Sequence, residues 1–451
     1  MTTTGIILAA GKGARMRSTT PKSLHKVAGL TLVGHGIRTM RAAGIDDVIV
    51  VASQDLAESP EFKDALAFNK RPDIRLAIQA EQQGTADALN AARTAASEAG
   101  TIVVAPVDTV LVTGEIVRQM LKVHGDSDAA ATVLGARVDN PAGLGRIKLG
   151  ATGRPVAVVE EHEADDESLE NNLVNTAWYC FDNRWIWDEL DLIQAADTGE
   201  MYLPRVIEAA SGIERSAIVV TADAETGLGI NDRVQLANVE RIMRRRINES
   251  HMKNGVTLQD PATTYIDIDV EIGRDTKIGA GTQLGTGVKI GTAVVIGPNT
   301  QIHSSEIRDG ATVDGARVID SLVGEGAIVG SNSLLRAGSE LKPLSRVGNL
   351  AEIKNSVIGA GSHVSHFSYI GDATVGENVN IGAGTITCNY DGKDKHPTVI
   401  HDGASIGSST MLIAPVTIGK LAKTGAGSVV RMDVAPGDTV AGVPAKSIKS
   451  K

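Results

Sequence analysis

The sequence predicts an α/β domain followed by a β-solenoid, and three observations lead to this fold class. The chain has 451 residues, more than one hydrophobic core usually organises, so two or more domains are expected. Short β-rich apolar runs alternate with helix-like segments from Gly5 to about Thr221. From about Leu258 to Val443, aliphatic residues recur every six positions, with interruptions.

The alternating runs of the N-terminal part predict βαβ units and a mostly parallel sheet. The clearest strand candidates are Gly5 to Ala10, Val48 to Ala52, Ile102 to Ala105 and Ala217 to Thr221, and the clearest helix candidates are Leu32 to Ala43 and Ala86 to Ala99. Ligands of such sheets bind at the carboxyl ends of the strands. We therefore expect the binding residues of this part to follow its strands.

A long helix is predicted between Asn231 and Lys253. Apolar residues recur there at helical spacing, among arginines that are expected to face solvent. The two domains are accordingly expected at 1–228 and 255–451, joined by a linker helix at 229–254.

The six-residue period predicts a parallel β-helix in the C-terminal part, with three hexads in each coil. The clearest stretch of this period is Ile272, Ile278, Leu284, Ile290, Ile296 and Ile302. Such residues are expected to point into the solenoid, and successive coils are expected about 4.8 Å apart. The largest interruption, Thr387 to Pro397, is expected to leave the solenoid as a loop.

Composition excludes several classes of protein. The net charge of −10 argues against a nucleic-acid partner, because no basic excess is present to neutralise phosphates along a duplex. The two cysteines, Cys180 and Cys388, are too few for a disulfide framework, which favours a reducing cytoplasm. No apolar run is long enough to cross a bilayer, and the N-terminus lacks the features of a signal peptide.

A glycine-containing loop follows the first predicted strand. It reads Leu8-Ala9-Ala10-Gly11-Lys12-Gly13-Ala14-Arg15-Met16, with Pro21-Lys22 shortly after it. Glycines let backbone N–H groups approach phosphate oxygens, and Arg15 and Lys22 add positive charge. The loop is neither a Walker motif nor a dinucleotide fingerprint. It resembles the signature of sugar-nucleotidyltransferases, and the alternative is an ordinary glycine turn.

Further segments extend this resemblance over nearly the whole chain. In the N-terminal part they are Gln79 to Ala86, Val107-Asp108, Gly143 to Ile147, Val159-Glu160, Asn175-Thr176 and Gly229 to Asn231. The chain resembles the bifunctional N-acetylglucosamine-1-phosphate uridyltransferase and glucosamine-1-phosphate N-acetyltransferase family. The resemblance implies a Rossmann-like nucleotidyltransferase domain, a connecting helix and a left-handed parallel β-helix of hexapeptide repeats.

The resemblance also implies roles for residues of the N-terminal part. Leu8, Ala9, Ala10 and Gly11 would contact the nucleotide; Gln79, Gly84 and Thr85 would read the uracil; Gly145, Glu160 and Asn175 would hold the N-acetyl sugar. Arg15 and Lys22 would stabilise the phosphates during catalysis. Asp108 and Asn231 would place a magnesium ion, with Asn231 also near the nucleotide, and Mg²⁺ needs only one or two protein oxygens.

Four positions of this part depart from the family pattern. Val107 and Val110 stand where relatives read Gly and Pro, Ala177 stands where Gly is usual, and Arg205 stands where Asp is typical. A branched side chain at position 107 is expected to crowd the backbone near the ligand. These substitutions leave open a weakened uridylyl site or one retuned to another nucleotide.

The C-terminal part gathers three of its four aromatic residues near one histidine, and the fourth is Tyr265. Phe367 and Tyr369 follow His366, and Tyr390 lies in the inserted loop. Such clustering favours a site over a packed structural histidine. By the family resemblance His366 is the general base that takes the proton of the sugar's ammonium group; His363 is the weaker candidate.

The resemblance assigns the other groups of this second site. Arg336 and Lys354 would grip the sugar phosphate, Tyr369, Asn380 and Lys395 would complete the sugar pocket, and Ala383, Asn389, Tyr390, Ser408 and Ala426 would contact acetyl-CoA. The stretch from Val440 to Lys446 lacks an arginine that well-known members carry near Gly442, so carrier contacts are expected to differ there.

The sequence thus predicts a bifunctional enzyme. Acetyl-CoA and glucosamine 1-phosphate would give the N-acetylated sugar phosphate, which UTP would convert to UDP-N-acetylglucosamine in a Mg²⁺-dependent step. The family implies a cytoplasmic homotrimer. One alternative is an acetyltransferase with an inactive or retuned nucleotidyltransferase domain. The other is a lone nucleotidyltransferase on a structural, trimerising solenoid.

Overall fold

The computed structural model describes residues 2–67, 74–195, 199–213 and 215–448. The chain divides into two compact units, Met1–Met243 and Arg244–Lys451. Within the described residues, no helix is both long enough and apolar enough to cross a membrane.

The first unit is built on one central β-sheet. Its strands are β1 (Thr3–Leu8), β4 (Asp47–Ala52), β5 (Ile74–Ile78), β6 (Thr101–Pro106), β7 (Ala131–Arg137), β8 (Arg146–Leu149), β9 (Pro155–Val159), β10 (Leu173–Asp182) and β11 (Ile218–Ala222); β2 (Lys26–Val27) and β3 (Leu30–Thr31) form a separate hairpin. The strand order is β11-β7-β10-β6-β1-β4-β5. Outside this order, β8 pairs with β10, and β9 pairs with β8. All strands of the main order are parallel except β10, which runs antiparallel to β6 and β7.

Burial of the central strands explains this arrangement. Ile6, Ile7 and every residue from Val48 to Ala52 are fully buried, as are the residues from Ile102 to Ala105. Strands that are apolar on both faces are typical of a parallel sheet covered by helices. The carboxyl ends of β1 and β6 are adjacent, because Leu8 pairs with Pro106. The loops that follow these two strands therefore begin side by side.

The helices of the chain are α1 (Leu32–Ala42), α2 (Gln54–Glu58), α3 (Pro60–Leu66), α4 (Thr85–Asn90), α5 (Gly114–Asp126), α6 (Asp166–Glu170), α7 (Asn183–Leu190), α8 (Val206–Ser211) and α9 (Arg233–Lys253). The helix predicted from Ala86 to Ala99 is wrong in length. Beyond Asn90, several N–H groups donate to the carbonyl three residues back, as Ala92 does to Leu89, so the chain continues as tight turns.

The long helix predicted before the solenoid is observed as α9. Near its C-terminal end, Asn248 Nδ2 donates to the carbonyls of Pro261 (2.8 Å) and Thr264 (3.0 Å). The expectation that its arginines face solvent is wrong for Arg244. The guanidinium carbon of that residue lies 3.7 Å from the centre of the Tyr265 ring, a cation–π contact.

The second unit is a solenoid with three faces, each a parallel sheet over most of its length. The first face comprises Thr257–Leu258, Lys277–Ile278, Val295–Ile296, Thr312–Val313, Ile328–Val329, Arg346–Val347, His363–Val364, Asn380–Ile381, Ser405–Ile406, Lys423–Thr424, Thr439–Ala441 and Lys446–Ser447. The second comprises Tyr265–Ile266, Gln283–Leu284, Gln301–His303, Arg317–Ile319, Leu334–Arg336, Glu352–Lys354, Tyr369–Gly371, Ile386–Cys388, Met411–Ile413 and Val429–Val430. The third comprises Glu271–Ile272, Lys289–Ile290, Glu306–Ile307, Ser321–Val323, Ser339–Leu341, Val357–Ile358, Ala373–Val375, Thr398–Ile400 and Val416–Ile418.

The predicted hexad positions fill the interior of this solenoid. Ile278 pairs in register with Ile296, and Leu284 pairs with Ile302 on the next face. All four are at least 98 % buried, whereas Ile272, in an early coil, is only partly buried. The inserted segment leaves the solenoid between the strands that end at Cys388 and begin at Thr398, as the sequence predicts.

Candidate functional site

Four predicted residues of the first unit meet beyond the carboxyl ends of β1 and β6. Lys22 Nζ forms an ion pair with Asp108 and lies 3.0 Å from Asn231 Oδ1, and Arg15 Nη2 donates to the same Oδ1 at 3.0 Å. Ile230 N–H donates to the Asp108 carbonyl, which ties the segment before α9 to the end of β6. Residues more than 200 positions apart therefore form one side-chain cluster.

The oxygens of Asp108 and Asn231 fit a divalent cation. Both contact one ammonium group, that of Lys22, so they converge on a position that already carries positive charge. One carboxylate and one amide are the hard oxygen ligands that Mg²⁺ prefers, with phosphate and water completing the shell. No group of three or more His, Cys, Asp or Glu side chains within the described ranges is arranged to hold a metal ion.

The glycine-containing loop borders a cavity of about 530 Å³. Leu8 ends β1, and Ala9 and Ala10 follow it, both buried. The cavity is lined by Ala10, Gly11, Lys12, Ser18, Thr19, Thr20, Pro21, Ser53, Gln54, Asp55, Leu56, Ala80 and Gln82. Gln82, which the sequence interpretation passed over, donates from Nε2 to the Ala10 carbonyl at 2.6 Å.

The three residues expected to read the base lie together beside β5. Gln79 is 4 % exposed, and its Nε2 donates to the Gly84 carbonyl (3.1 Å) and to Asp87 Oδ2 (2.6 Å). Gly84 has a φ of +118°, and a Cβ there would lie 2.5 Å from the Met201 carbonyl oxygen, so glycine is required. Thr85 Oγ1 accepts the N–H of Leu203 at 2.9 Å.

The three residues expected to hold the sugar also meet. Asn175 N–H donates to the Gly145 carbonyl (2.8 Å), and a Cβ at Gly145 would lie 3.3 Å from Glu160 Oε1. Burial raises the pKa of the Glu160 carboxyl. Tyr179, which the sequence interpretation missed, accepts a hydrogen bond from Asn175 Nδ2 at 2.7 Å.

The substituted position 177 lies in a left-handed backbone. Ala177 has a φ of +60°, in an irregular stretch of β10 where the register with β7 shifts between Asn175 and Tyr179. Its N–H donates to Asn175 Oδ1 at 3.0 Å. A glycine would adopt this conformation without steric cost, so alanine adds strain next to the residues expected to hold the sugar.

The other substitutions are accommodated within the protein. Val107 is 8 % exposed and its backbone is not left-handed, so the position does not require glycine, and Val110 is buried. Thr109, between them, accepts a hydrogen bond from Trp178 Nε1 at 2.7 Å. Arg205 pairs with Glu163 Oε1 at 3.2 Å and donates to the Gln194 carbonyl.

In the second unit, Asp372 is the centre of a polar cluster on the second face. Its carboxylate accepts from Asn389 Nδ2 (2.5 Å) and Asn355 Nδ2 (2.7 Å), and Lys354 Nζ lies 3.8 Å away. Burial alone would raise the pKa of Asp372, but hydrogen bonds from Asn355 and Asn389 and the Lys354 charge hold it below its usual range. The Tyr369 hydroxyl lies 3.4 Å from Asn389 Nδ2.

Two further cations border this cluster. The neighbouring Lys354 ammonium lowers the pKa of the Lys395 side chain, so the two lysines lie close enough to repel. Arg336 pairs with Glu352 Oε1 at 2.9 Å, one rung from Lys354 on the second face. Like charges held close together favour a polyanionic ligand, which is the chemistry expected for a sugar phosphate.

Three of the five residues expected to contact acetyl-CoA form a column at the corner between the first and second faces. Ser409 N–H donates to the Ala383 carbonyl (2.7 Å), and Gly427 N–H donates to the Ser408 carbonyl (2.8 Å), which stacks Ala383, Ser408 and Ala426 in successive coils. His366 continues the same column, because Gly384 N–H donates to its carbonyl at 2.9 Å.

The ring of His366 is exposed and held by one backbone contact. Asn349 N–H donates to His366 Nδ1 at 3.2 Å, so that nitrogen carries a lone pair. A neutral ring in this arrangement carries its proton on Nε2. Any other donor to Nδ1 would therefore compete with the Asn349 N–H.

One chain does not gather all the residues expected in the second site. Asn380 lies on the first face, paired with His363 and Ser405, whereas Arg336, Lys354 and Tyr369 lie on the second. The column of His366 lies at one edge of the second face, and the inserted loop leaves the other. Asn389 accordingly contacts the Asp372 cluster, and the exposed Tyr390 bonds within its loop to the Gly392 carbonyl.

The sequence interpretation missed Asp372 and Asn355. Asp372 ends the strand Tyr369-Ile370-Gly371, and a Cβ at Gly371 would clash with the Tyr369 hydroxyl and lie 2.8 Å from Asn389 Nδ2. Both Asp372 and Asn355 have positive φ values at equivalent corners of adjacent coils. An acidic residue one coil from Lys354 was the available signal, because residues at equivalent rungs of a solenoid are neighbours.

Two family models match the chain. The MobA-like NTP transferase domain matches residues 5–168, and the bacterial transferase hexapeptide model, of six repeats, matches residues 269–304.

Curated relatives match the chain over nearly its whole length. A protein of Syntrophomonas wolfei is 40% identical over 438 residues, covering 97% of this chain and 96% of its own. A protein of Exiguobacterium sibiricum is 43% identical over 432 residues, covering 95% of each chain, and one of Streptococcus suis is 41% identical over 439 residues, covering 96% and 94%. All three carry the name bifunctional protein GlmU.

Proposed function

The chain belongs to the GlmU family of bifunctional proteins, and from that premise we propose how its residues divide two reactions. It is a bifunctional enzyme with a nucleotidyltransferase domain and a hexapeptide-repeat acetyltransferase domain. The solenoid N-acetylates glucosamine 1-phosphate with acetyl-CoA. The first domain then transfers uridylyl from UTP to the N-acetylated product and releases pyrophosphate.

Arg15 and Lys22 act on the phosphates of the uridylyl reaction. A phosphate oxygen of the sugar attacks the α-phosphorus of UTP, and the bond to pyrophosphate breaks, so no protein nucleophile is needed. The two cations neutralise charge on the nucleotide. Asp108 and Asn231 would hold Mg²⁺, which supplies further neutralisation of phosphate charge when bound.

Gln79, Glu160 and Asn175 supply the polar atoms that recognise the base and the sugar. Gln79 uses its amide N–H groups on Gly84 and Asp87, which leaves its carbonyl oxygen to accept the imide N–H of uracil. Glu160, ionised, accepts hydrogen bonds from sugar hydroxyl groups, while Asn175 and Gly145 bound the N-acetyl group. Gly84 and Thr85 fix the loop beside the base.

In the second reaction, the cluster around Asp372 holds the sugar phosphate. Arg336, Lys354 and Lys395 bind the phosphate, and Tyr369 and Asn380 complete the sugar pocket. His366 takes a proton from the amine as its nitrogen attacks the thioester carbonyl; the C–S bond then breaks and the thiolate of CoA leaves. The carrier lies along Ala383, Ser408 and Ala426, with Asn389 and Tyr390 near its reacting end.

We propose a closed homotrimer as the working form. The groups assigned to the acetyl transfer lie on two faces and two corners of the solenoid, and Asn380 is on a different face from Arg336 and Lys354. Adjacent copies in a cyclic arrangement would bring such faces together. A cytoplasmic location accords with the nucleotide and CoA substrates and with the free thiols of Cys180 and Cys388.

The observation that carries this proposal is the convergence of Arg15, Lys22, Asp108 and Asn231 in the first unit. The experiment measures pyrophosphate release with N-acetylglucosamine 1-phosphate across UTP, dTTP, ATP and GTP. Thiol release from acetyl-CoA with glucosamine 1-phosphate is measured in parallel. We expect both products, with UTP preferred. Thiol release alone would instead identify an acetyltransferase with an inactive first domain, and preference for another nucleotide would identify a retuned one.

A further inference from the structure

One corner of the solenoid has a left-handed residue in every one of nine successive coils. This corner, between the first and second faces, is the one that carries His366. The residues with positive φ are Gly281, Asn299, Gly315, Asn332, Leu350, Phe367, Gly384, Ser409 and Gly427. Seven of the nine are Gly, Asn or Ser, which tolerate this backbone or do not project a bulky side chain from it.

Leu350 and Phe367 are the two exceptions. Their φ values are +58° and +54°, a conformation that bulky side chains disfavour. Their side chains are also exposed, by 49 % and 66 %. Backbone strain and exposed apolar surface therefore occur together at both residues. The two residues lie in adjacent coils, since Phe367 follows Leu350 by one turn of the solenoid. The same pairing occurs at Leu344 and Leu421, at the corner between the third and first faces. At Leu350 and Phe367 it lies beside His366, the expected base, and this position favours a functional contact.

The pair lies on one side of His366, and small residues lie on the other. Backbone hydrogen bonds give the order of the coils along this corner. Phe367 N–H donates to the Asn349 carbonyl (3.3 Å), and Gly384 N–H donates to the His366 carbonyl. In the next coil, Ser409 N–H donates to the Ala383 carbonyl. Gly384, Ser409 and Gly427 flank the column expected to carry CoA. A Cβ at Gly427 would meet nothing within 4 Å, so this side of the corner is open.

We propose that Phe367 and Leu350 close the carrier groove beyond His366 and set the length of the acyl group that the enzyme transfers. The inference rests on the proposed roles of His366 and of the Ala383 column. In a thioester, the acyl chain points away from the sulfur across the carbonyl carbon. If the carrier lies along the open side and the carbonyl lies at His366, the acyl chain points toward Phe367 and Leu350.

This arrangement explains why the strained residues are apolar. The methyl group of an acetyl thioester needs an apolar neighbour but no polar partner, and an aromatic ring supplies one. A longer acyl chain would have to occupy the space that the Phe367 side chain fills. Phe367 is thus the specificity residue, and Leu350, one coil further from His366, supports it.

The test compares acyl donors on the full-length enzyme. The measured quantity is the ratio of kcat/KM for butyryl-CoA to that for acetyl-CoA, with glucosamine 1-phosphate as acceptor. In Phe367→Gly we expect this ratio to rise about tenfold or more, because each methylene accommodated in an apolar pocket changes kcat/KM by about this factor. Leu350→Gly should raise the ratio less. Glycine suits the left-handed backbone at both positions, so both variants are expected to fold.

Leu421→Gly is the matched control. Leu421 has a φ of +58° and is 59 % exposed, but it lies at the corner between the third and first faces. This variant should leave the ratio unchanged. An unchanged ratio in both Phe367→Gly and Leu350→Gly would overturn the proposal. If those variants instead changed only the sedimentation coefficient, the patch would be a contact between subunits. A wild-type enzyme that releases no thiol from acetyl-CoA would refute the proposed acetyl transfer itself.

Discussion

The two sites of this chain are assembled in opposite ways. In the first unit, Lys22, Asp108 and Asn231 come from distant loops and meet through direct side-chain contacts. In the solenoid, Arg336 and Lys354 are neighbours because their strands pair in register, and the column of His366 follows from the same stacking. Residues that meet from separate loops can be substituted one at a time. Residues on stacked strands must keep the spacing that places them in successive coils.

The substitutions away from the family pattern follow this difference. Val107, Val110, Ala177 and Arg205 all lie in the first unit, and the solenoid departs mainly near Gly442. Some glycines beside the expected carrier column leave no room for a side chain. A Cβ at Gly382 would lie 2.5 Å from the Ser408 nitrogen, and one at Gly407 would lie 2.6 Å from the Ala426 nitrogen. The stacked backbone therefore constrains the proposed acetyl site more tightly than loop contacts constrain the proposed uridylyl site.

Removal of divalent metal should separate the two sites most strongly. We expect EDTA to abolish pyrophosphate release and to leave thiol release unchanged, because hard oxygen ligands are predicted only in the first site. Asp108→Asn should reproduce the selective loss by at least about a hundredfold, since one charged ligand is removed. Assays of both products with and without added Mg²⁺ check this. A fall in thiol release would show that the solenoid also depends on the metal.

His366→Ala should reduce thiol release by about 10²- to 10⁴-fold, the usual contribution of a general base. Pyrophosphate release should be unaffected. His401→Ala is the control, because His401 is an exposed solenoid histidine outside the corner column. Steady-state rates of both variants with acetyl-CoA and glucosamine 1-phosphate provide the measurement. Equal losses in the two variants would remove the case for His366 as the base.

Asp372→Asn should raise the KM for glucosamine 1-phosphate about tenfold or more. The substitution removes the charge that holds Lys354 and disturbs the bonds from Asn355 and Asn389, and a hydrogen bond to a charged group contributes about 1.5–3 kcal/mol. The KM for acetyl-CoA should rise less, because Asn389 is the one assigned carrier contact that bonds to Asp372, whereas Ala383, Ser408 and Ala426 lie at another corner. A rise confined to the acetyl-CoA KM would contradict this placement.

Lower pH should weaken sugar binding in the uridylyl reaction. Burial raises the pKa of Glu160, so its carboxylate is protonated at a higher pH than that of an ordinary glutamate. Protonation removes its negative charge and one of its acceptor oxygens, which becomes a donor. The KM for N-acetylglucosamine 1-phosphate should therefore rise as pH falls through that pKa. In Glu160→Gln the KM should be high and independent of pH over the same range. A wild-type KM that stays flat would argue against a role for the ionised carboxylate.

Ala177→Gly should give the smallest effect, an increase of about 1 kcal/mol in the unfolding free energy of the first domain. The reason is the φ of +60°, which glycine adopts without a Cβ clash. Urea denaturation followed by fluorescence of Trp178, Trp185 and Trp187, which all lie in this domain, checks the change. Destabilisation would mean that the packing of the Ala177 methyl group outweighs its backbone strain.

The fold was more predictable than the sites. The period from Ile272 to Ile302 predicts the solenoid because one residue in six must fill a narrow interior. The helix from Ala86 is predicted too long because its alanines have high helix propensity, whereas the chain beyond Asn90 continues as turns with hydrogen bonds to the third residue back. The antiparallel direction of β10 was not predictable, since apolar runs carry no sign of strand direction.

Site residues were predictable where they belong to one contiguous motif. They were not predictable where they contact residues far away in the sequence. The glycine-containing loop identified Arg15 and Lys22 as phosphate-binding candidates, but their contacts with Asn231 depend on the tertiary fold. Asp372 was not predicted because its contact with Asn389 Nδ2 forms only when the two coils stack. Asn389 lies at the start of the inserted segment. The importance of Asp372 follows from three-dimensional stacking, which a linear pattern does not display.

The most direct test of two independent pockets on one polypeptide is a mixing experiment. Asp108→Asn and His366→Ala enzymes are supplied, alone and in equimolar mixture, with glucosamine 1-phosphate, acetyl-CoA, UTP and Mg²⁺, and UDP-N-acetylglucosamine is measured. We expect almost no product from either variant alone and substantial product from the mixture, because each retains the reaction that the other lacks. A mixture as inactive as its components, with both variants folded, would contradict the division of labour between the two domains.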